Sequence, residues 1–73
     1  MAKILVIGSS GQIGTELVIE LRKTLGGEQV VASDIKLPME EVLFGGPFEE
    51  LDVLDPVHIT RVVEKHNIKE VYL

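Results

Sequence analysis

Cysteine is absent from this 73-residue chain. Disulfides and thiolate metal sites are therefore excluded, although small folds often rely on them. The lack of cysteine suits a reducing compartment, and a cytoplasmic location is the expectation. Histidine is scarce. His58 and His66 stand eight residues apart without flanking ligand residues, a pattern that predicts no zinc or other metal site. Basic residues are few: 7 Lys and Arg against 12 Asp and Glu give a net charge of -5. Nucleic acid is not an expected partner, because neutralising its phosphates needs clustered Lys and Arg. Long apolar runs are missing as well. The stretch Ile4-Leu5-Val6-Ile7 is too short for a signal core. Nothing approaches the about 20 apolar residues of a membrane span, so no membrane partner is expected. The length itself predicts one domain at most, and less than a full one, since ordinary domains run to roughly 100–200 residues.

What is present is an alternation of two periodicities. Residues 3–7 are branched and apolar and end at Gly8, as a buried parallel strand does. From Gln12 to about Leu25 the period becomes helical. Ile13, Leu17, Leu21 and Leu25, with Val18 alongside, predict the buried stripe, and Glu16, Glu20, Arg22 and Lys23 the outer face. Gly26-Gly27 ends this helix. Val30-Val31-Ala32, closing on Ser33-Asp34, predicts a second strand. Residues 35–47 contain Pro38, Gly45, Gly46 and Pro47. They predict a loop, with room for one helical turn over residues 39–44. A third strand is expected over residues 48–53. Asp55-Pro56 then has the form of an N-cap followed by proline at the first helical position. The helix after it carries Ile59, Val62 and Val63 on its apolar side and reaches about His66. Asn67 suits a left-handed cap, and residues 70–73 begin a fourth strand in which the chain stops. Strands alternating with helices predict an α/β fold with parallel pairing and right-handed crossovers.

The informative turn is Gly8-Ser9-Ser10-Gly11-Gln12-Ile13-Gly14. Glycines at this spacing gain force when they follow a strand and open a helix, as they do here. Gly8 permits a sharp turn, Gly11 permits close approach of a pyrophosphate, and Gly14 permits close packing of helix on sheet. The amides around residues 11–13 lie at the helix start, where unpaired donors and the helix dipole favour an anion. A glycine-rich turn that binds nothing is the plain alternative. Asp34 follows Gly14 by 20 residues, the usual distance of an acid that accepts from the adenosine ribose hydroxyls. Its charge would repel a 2′-phosphate, so NAD is expected over NADP, with the nearby Lys36 working against that preference. Asp52 and Val53, expected at the end of the third strand, are placed to meet adenine, Asp52 at its amino group and Val53 on its ring. A polar residue closing an edge strand explains Asp52 nearly as well. Ser9 and Ser10 are explained equally by phosphate contact or by a tight turn. His58 is expected in solvent in the first turn of its helix, and His66 beside the negative end of the helix dipole. Neither is expected to be catalytic.

On these residues the chain resembles the extended short-chain dehydrogenase/reductase superfamily, in its NAD-dependent epimerase/dehydratase group. The stretches KILVIGSSGQIGTEL, VVASDI, GPFEELDVLD and IKEVYL resemble the epimerase-like L-threonine 3-dehydrogenases within it. The resemblance implies a three-layer partial Rossmann fold with strand order 3-2-1-4. Residues 1–73 would be the N-terminal part of an NAD(P)-binding domain, with no substrate domain. It also implies NAD held by Gly8, Gly11, Gln12, Ile13 and Gly14, with Asp34 on the ribose and Asp52-Val53 near adenine. The parent activity it implies is oxidation of L-threonine to 2-amino-3-ketobutyrate, or the reaction of a related nucleotide-sugar epimerase/dehydratase, by a Tyr-x-x-x-Lys pair with a Ser or Thr. The only tyrosine here is Tyr72, one residue from the end of the sequence, so no catalytic residue is expected in this stretch. Two other readings stand beside it: a non-catalytic NAD(P)-sensing module, and an assembly fragment that binds nothing. An unpaired fourth strand further predicts self-association through the sheet edge.

Overall fold

Branched residues open the fold. In the computed structural model, which describes residues 3–73, Lys3–Ile7 forms strand β1 and Val30–Asp34 forms β2. Between them lie helix α1, Gln12–Leu25, and one turn of 3₁₀ helix over Gly27–Gln29. Helix α2 is a short piece, Glu40–Phe44, followed by strand β3, Phe48–Glu50. Helix α3, Pro56–His66, leads to β4, Ile68–Tyr72. The four strands form one parallel sheet in the order β3-β2-β1-β4, the order implied by the resemblance.

The two-residue period of the central strands creates two cores. Ile4 and Val6 of β1, with Val30 and Ala32 of β2, face α1 and α2 and pack with Val18 and Val42. Leu5 and Val31 face the opposite way and pack with Leu51, Val62 and Ile68. Strands buried on both faces read as unbroken apolar runs, which is why β1 and β2 were legible. Truncating Leu5, fully buried in the sheet centre, would cost about 2–5 kcal/mol. Among the described residues, no helix is long and apolar enough to cross a membrane.

The caps of α3 are as expected. The Asp55 carboxylate accepts from the His58 amide at 3.2 Å, and Pro56 stands at the helix start. Asn67 adopts the left-handed conformation, with φ 56° and ψ 49°. Glu49 of β3 ties this helix end to the sheet. Its carboxylate accepts from His66 Nε2 at 2.6 Å and Lys65 Nζ at 2.9 Å. Burial pushes the Glu49 carboxyl up, but the hydrogen bonds and charges of His66 and Lys65 outweigh it and hold the group below its ordinary value.

Several boundaries and faces differ from the sequence reading. Residues 39–44 do form a helical turn, as α2 over Glu40–Phe44. Strand β3 ends at Glu50 rather than at residue 53, and β4 begins at Ile68 rather than at residue 70. Directly after the Asn67 cap, Ile68 is buried at the start of its strand. His58 is half-buried rather than in solvent. In α1 the stripe is rotated from its expected position. Val18 is fully buried, whereas Ile13 is 83% and Leu25 is 44% exposed.

The largest correction is Arg22, expected outside and found inside. Its Nε and Nη2 donate to the Val30 carbonyl at 3.2 and 3.1 Å, and Nη2 also donates to the Pro47 carbonyl at 2.8 Å. Its Nη1 donates to the Val42 carbonyl. Three chain segments thus deliver carbonyls to one guanidinium, whose planar fork suits such a cage. Burial lowers its pKa from the ordinary value. The negative end of the α1 dipole compensates part of that cost.

Candidate functional site

The glycine turn is built from β1 outward and fastened to β2. Gly8 leaves the strand with φ 88°, a conformation that side chains resist. The amides of Gly8 and Ser9 both donate to the Ser33 carbonyl at 2.9 Å. Ser9, fully buried, adds its hydroxyl to the same carbonyl at 3.0 Å. Ser33 in turn donates to the Val6 carbonyl at 2.8 Å, and Thr15 Oγ1 donates to the Ser9 carbonyl at 2.9 Å. Gly14 seats the helix on this turn. A Cβ there would overlap the Gly8 carbonyl oxygen and lie 2.9 Å from Ser9 Cα. The Ser9 hydroxyl is therefore spent inside the fold, as the tight-turn reading of this residue anticipated.

Helix α1 starts without a side-chain cap. Its N-cap is Gly11, and its first internal bond runs from Thr15 N–H to the Gly11 carbonyl at 2.9 Å. Among the described residues no acceptor is bonded to the amides of Gln12, Ile13 and Gly14. These three donors point to the positive end of a 14-residue helix. They border a cleft of about 570 Å³ whose walls include Gly8, Gly11, Gln12, Ile13 and Leu73. The exposure of Ile13 follows from this position: it is a wall of the cleft and not a core residue.

Asp34 closes β2 beside the turn. Its Oδ2 accepts from the Ser10 amide and its Oδ1 from the Lys36 amide, both at 3.0 Å. Burial pushes the Asp34 carboxyl up, but the amides of Lys36, Ser10 and Ile35 and the charge of Lys36 outweigh it, so the pKa is lowered. The group is thus an anionic acceptor at neutral pH, with lone pairs left over. The Ser10 hydroxyl donates to the Lys36 carbonyl at 2.8 Å.

Asp52 and Val53 do not end β3. They occupy the turn that follows it, because the chain leaves the ladder after Leu51 donates to the Asp34 carbonyl at 3.1 Å. Asp52 Oδ1 accepts from the Leu54 amide at 2.9 Å, and its carbonyl accepts from Asp55 N–H at 2.9 Å. Both residues are exposed, and so is Ile35, next to Asp34.

The set fits a dinucleotide. Open amides lie at a helix start, an ionised acceptor closes the adjacent strand, and a Cβ on Gly11 would meet nothing nearer than the Gly8 carbonyl at 3.7 Å. Such an arrangement offers donors to an anion and an acceptor to hydroxyl groups. Glu70 pushes the Tyr72 phenol up through its charge and hydrogen bond.

Known proteins resemble this chain over most of its length. The model of the NAD dependent epimerase/dehydratase family matches residues 4–73. An uncharacterized epimerase/dehydratase of Staphylococcus saprophyticus is 48% identical over 65 residues, 88% of this chain and 20% of the relative. The L-threonine dehydrogenase of Clostridium difficile superimposes with a TM-score of 0.90 at 38% identity, over 97% of this chain and 23% of that one. UDP-glucose 4-epimerase of Brucella ovis, solved in complex with NAD, gives a TM-score of 0.74 at 26% identity, over 97% of this chain and 22% of that one. The chain thus spans about a fifth of the length of the proteins it matches.

Proposed function

The chain belongs to the NAD-dependent epimerase/dehydratase family, and from that premise we propose that it supplies the adenosine-diphosphate half of an NAD site in a parent oxidoreductase. The observation that carries this is the uncapped start of α1, where the amides of Gln12, Ile13 and Gly14 open on a cleft beside Gly11. Those amides take the diphosphate, as helix starts in this topology do. Gly8 and Gly14 hold the turn, and Gly11 leaves room for the ligand. The Asp34 carboxylate accepts from the ribose hydroxyls and disfavours a 2′-phosphate. Asp52 accepts from the adenine amino group, and Val53 packs on the ring, both from the turn after β3.

When bound, NAD supplies a hydride acceptor. The residues described contribute binding and orientation. In this reading residues 1–73 are the first part of a dinucleotide-binding domain, and the parent protein oxidises L-threonine. The likeness to an L-threonine dehydrogenase supports that substrate. Taken alone, the chain self-associates along β4, an edge strand that carries exposed Val71 and is followed by exposed Leu73. Sedimentation as a single monomer across concentration would refute that point.

Titration calorimetry tests the binding claim. Saturable heats with ADP and NAD are expected, with NADP weaker. No heat with either ADP or NAD would overturn the reading, and tighter NADP binding would overturn the preference.

A further inference from the structure

We propose that Ser10 is the positioning residue that makes discrimination between NAD and NADP possible, by locking the turn that carries Asp34 to the glycine turn. This rests on the dinucleotide reading above and adds a residue to it. The observation is a closed ring of hydrogen bonds between segments distant in sequence. Ser10 N–H donates to Asp34 Oδ2 at 3.0 Å, Lys36 N–H donates to Asp34 Oδ1 at 3.0 Å, and the Ser10 hydroxyl donates to the Lys36 carbonyl at 2.8 Å.

Packing does not hold this turn. Ile35 is 59% exposed, and Lys36 and Leu37 are exposed too. The Asp34 backbone is fixed by the ladder, where Leu51 N–H donates to its carbonyl at 3.1 Å, so it is the position of residues 35–36 and of the Asp34 carboxylate that depends on these few bonds. Two of them use both carboxylate oxygens and fix the plane of the group, leaving its outer lone pairs for a ribose diol.

A 2′-phosphate would bring up to about two negative charges against that carboxylate. The turn has a way to yield, which is for Asp34 to swing out and the Lys36 ammonium to swing in. For Asp34 to swing out, its carboxylate must release the Ser10 and Lys36 amides, and the Lys36 side chain must swing in from a peptide that the Ser10 hydroxyl holds by its carbonyl. Asp34 supplies the repulsion, and Ser10 prevents the turn from escaping it.

The test compares wild type, Ser10→Ala and Ser10→Thr. Ser10→Ala removes the hydroxyl bond and keeps the backbone amide bond to Asp34. The affinity for NADP relative to NAD should rise about fivefold, the scale of one net hydrogen bond. Ser10→Thr keeps a hydroxyl and should keep the wild-type ratio. Amide hydrogen exchange without ligand gives an independent readout, with the Lys36 amide exchanging faster in Ser10→Ala. Equal weakening of both cofactors, or unchanged exchange at Lys36, would overturn the lock. A wild-type chain that binds neither ADP nor NAD would instead sink the dinucleotide reading, and the lock's role in discrimination with it.

Discussion

The two ends of α1 treat unpaired backbone groups in opposite ways. At its start, three amides are left open beside a glycine, and among the described residues no side chain is bonded to them. At its end, Arg22 turns inward and gathers carbonyls from β2, from α2 and from the approach to β3. Donors left open can receive a ligand, whereas carbonyls caged by a buried cation hold the fold together. One helix thus binds at one end and braces at the other. The difference lies in whether the protein satisfies its own polar groups.

The strongest way to break this contrast is at the braced end. Arg22→Met should cost about 3 kcal/mol or more, because it removes a charged donor from carbonyls of three segments, of which Pro47 keeps the Ala32 amide at 3.0 Å. The loss would show in the denaturant midpoint, and any population that stays folded should bind NAD as wild type does. Gly14→Ala probes the junction between the two behaviours. Its Cβ overlaps the Gly8 carbonyl, so stability should fall by about 1–3 kcal/mol and dinucleotide binding should fall with it. Thermal melts and calorimetry together read both losses.

Gly11→Ala sharpens the contrast by touching only the open end. Its Cβ makes an ordinary contact within the protein but fills the space a diphosphate needs. Stability should stay within about 0.5 kcal/mol. Binding of ADP should weaken about tenfold, equivalent to roughly 1.4 kcal/mol. Equal losses in stability and binding would erase the distinction between the ends.

The smallest effect is on pH. The Asp34 and Glu49 carboxyls both lie below their ordinary values of 3.8 and 4.5 when folded. A depressed carboxyl stabilises the fold above its unfolded pKa and loses that contribution as pH falls through the lowered folded value. Stability should therefore hold near neutrality and decline in acid, starting near the ordinary values. Asp34→Asn or Glu49→Gln should flatten the decline in an acid-titrated melt series.

What the sequence determined by itself was whatever neighbouring residues decide among themselves. The run from Ile4 to Ile7, the helical period after Gly11, the Asp55-Pro56 start and the Asn67 cap are local signals. The glycine spacing and Asp34 were legible for the same reason: strand, turn and helix follow one another directly. Tertiary structure decided the rest. Arg22 reads as a surface residue in its own helix and is buried only because carbonyls of Val30, Val42 and Pro47 converge on it. Asp52 and Val53 read as strand residues until the ladder ends, and where it ends depends on pairing with β2. The bond from Ser10 to Lys36 joins residues 26 apart in sequence. Periodicity carries no information about such partners, because a hydrogen bond across the sheet depends on where two distant segments come to rest.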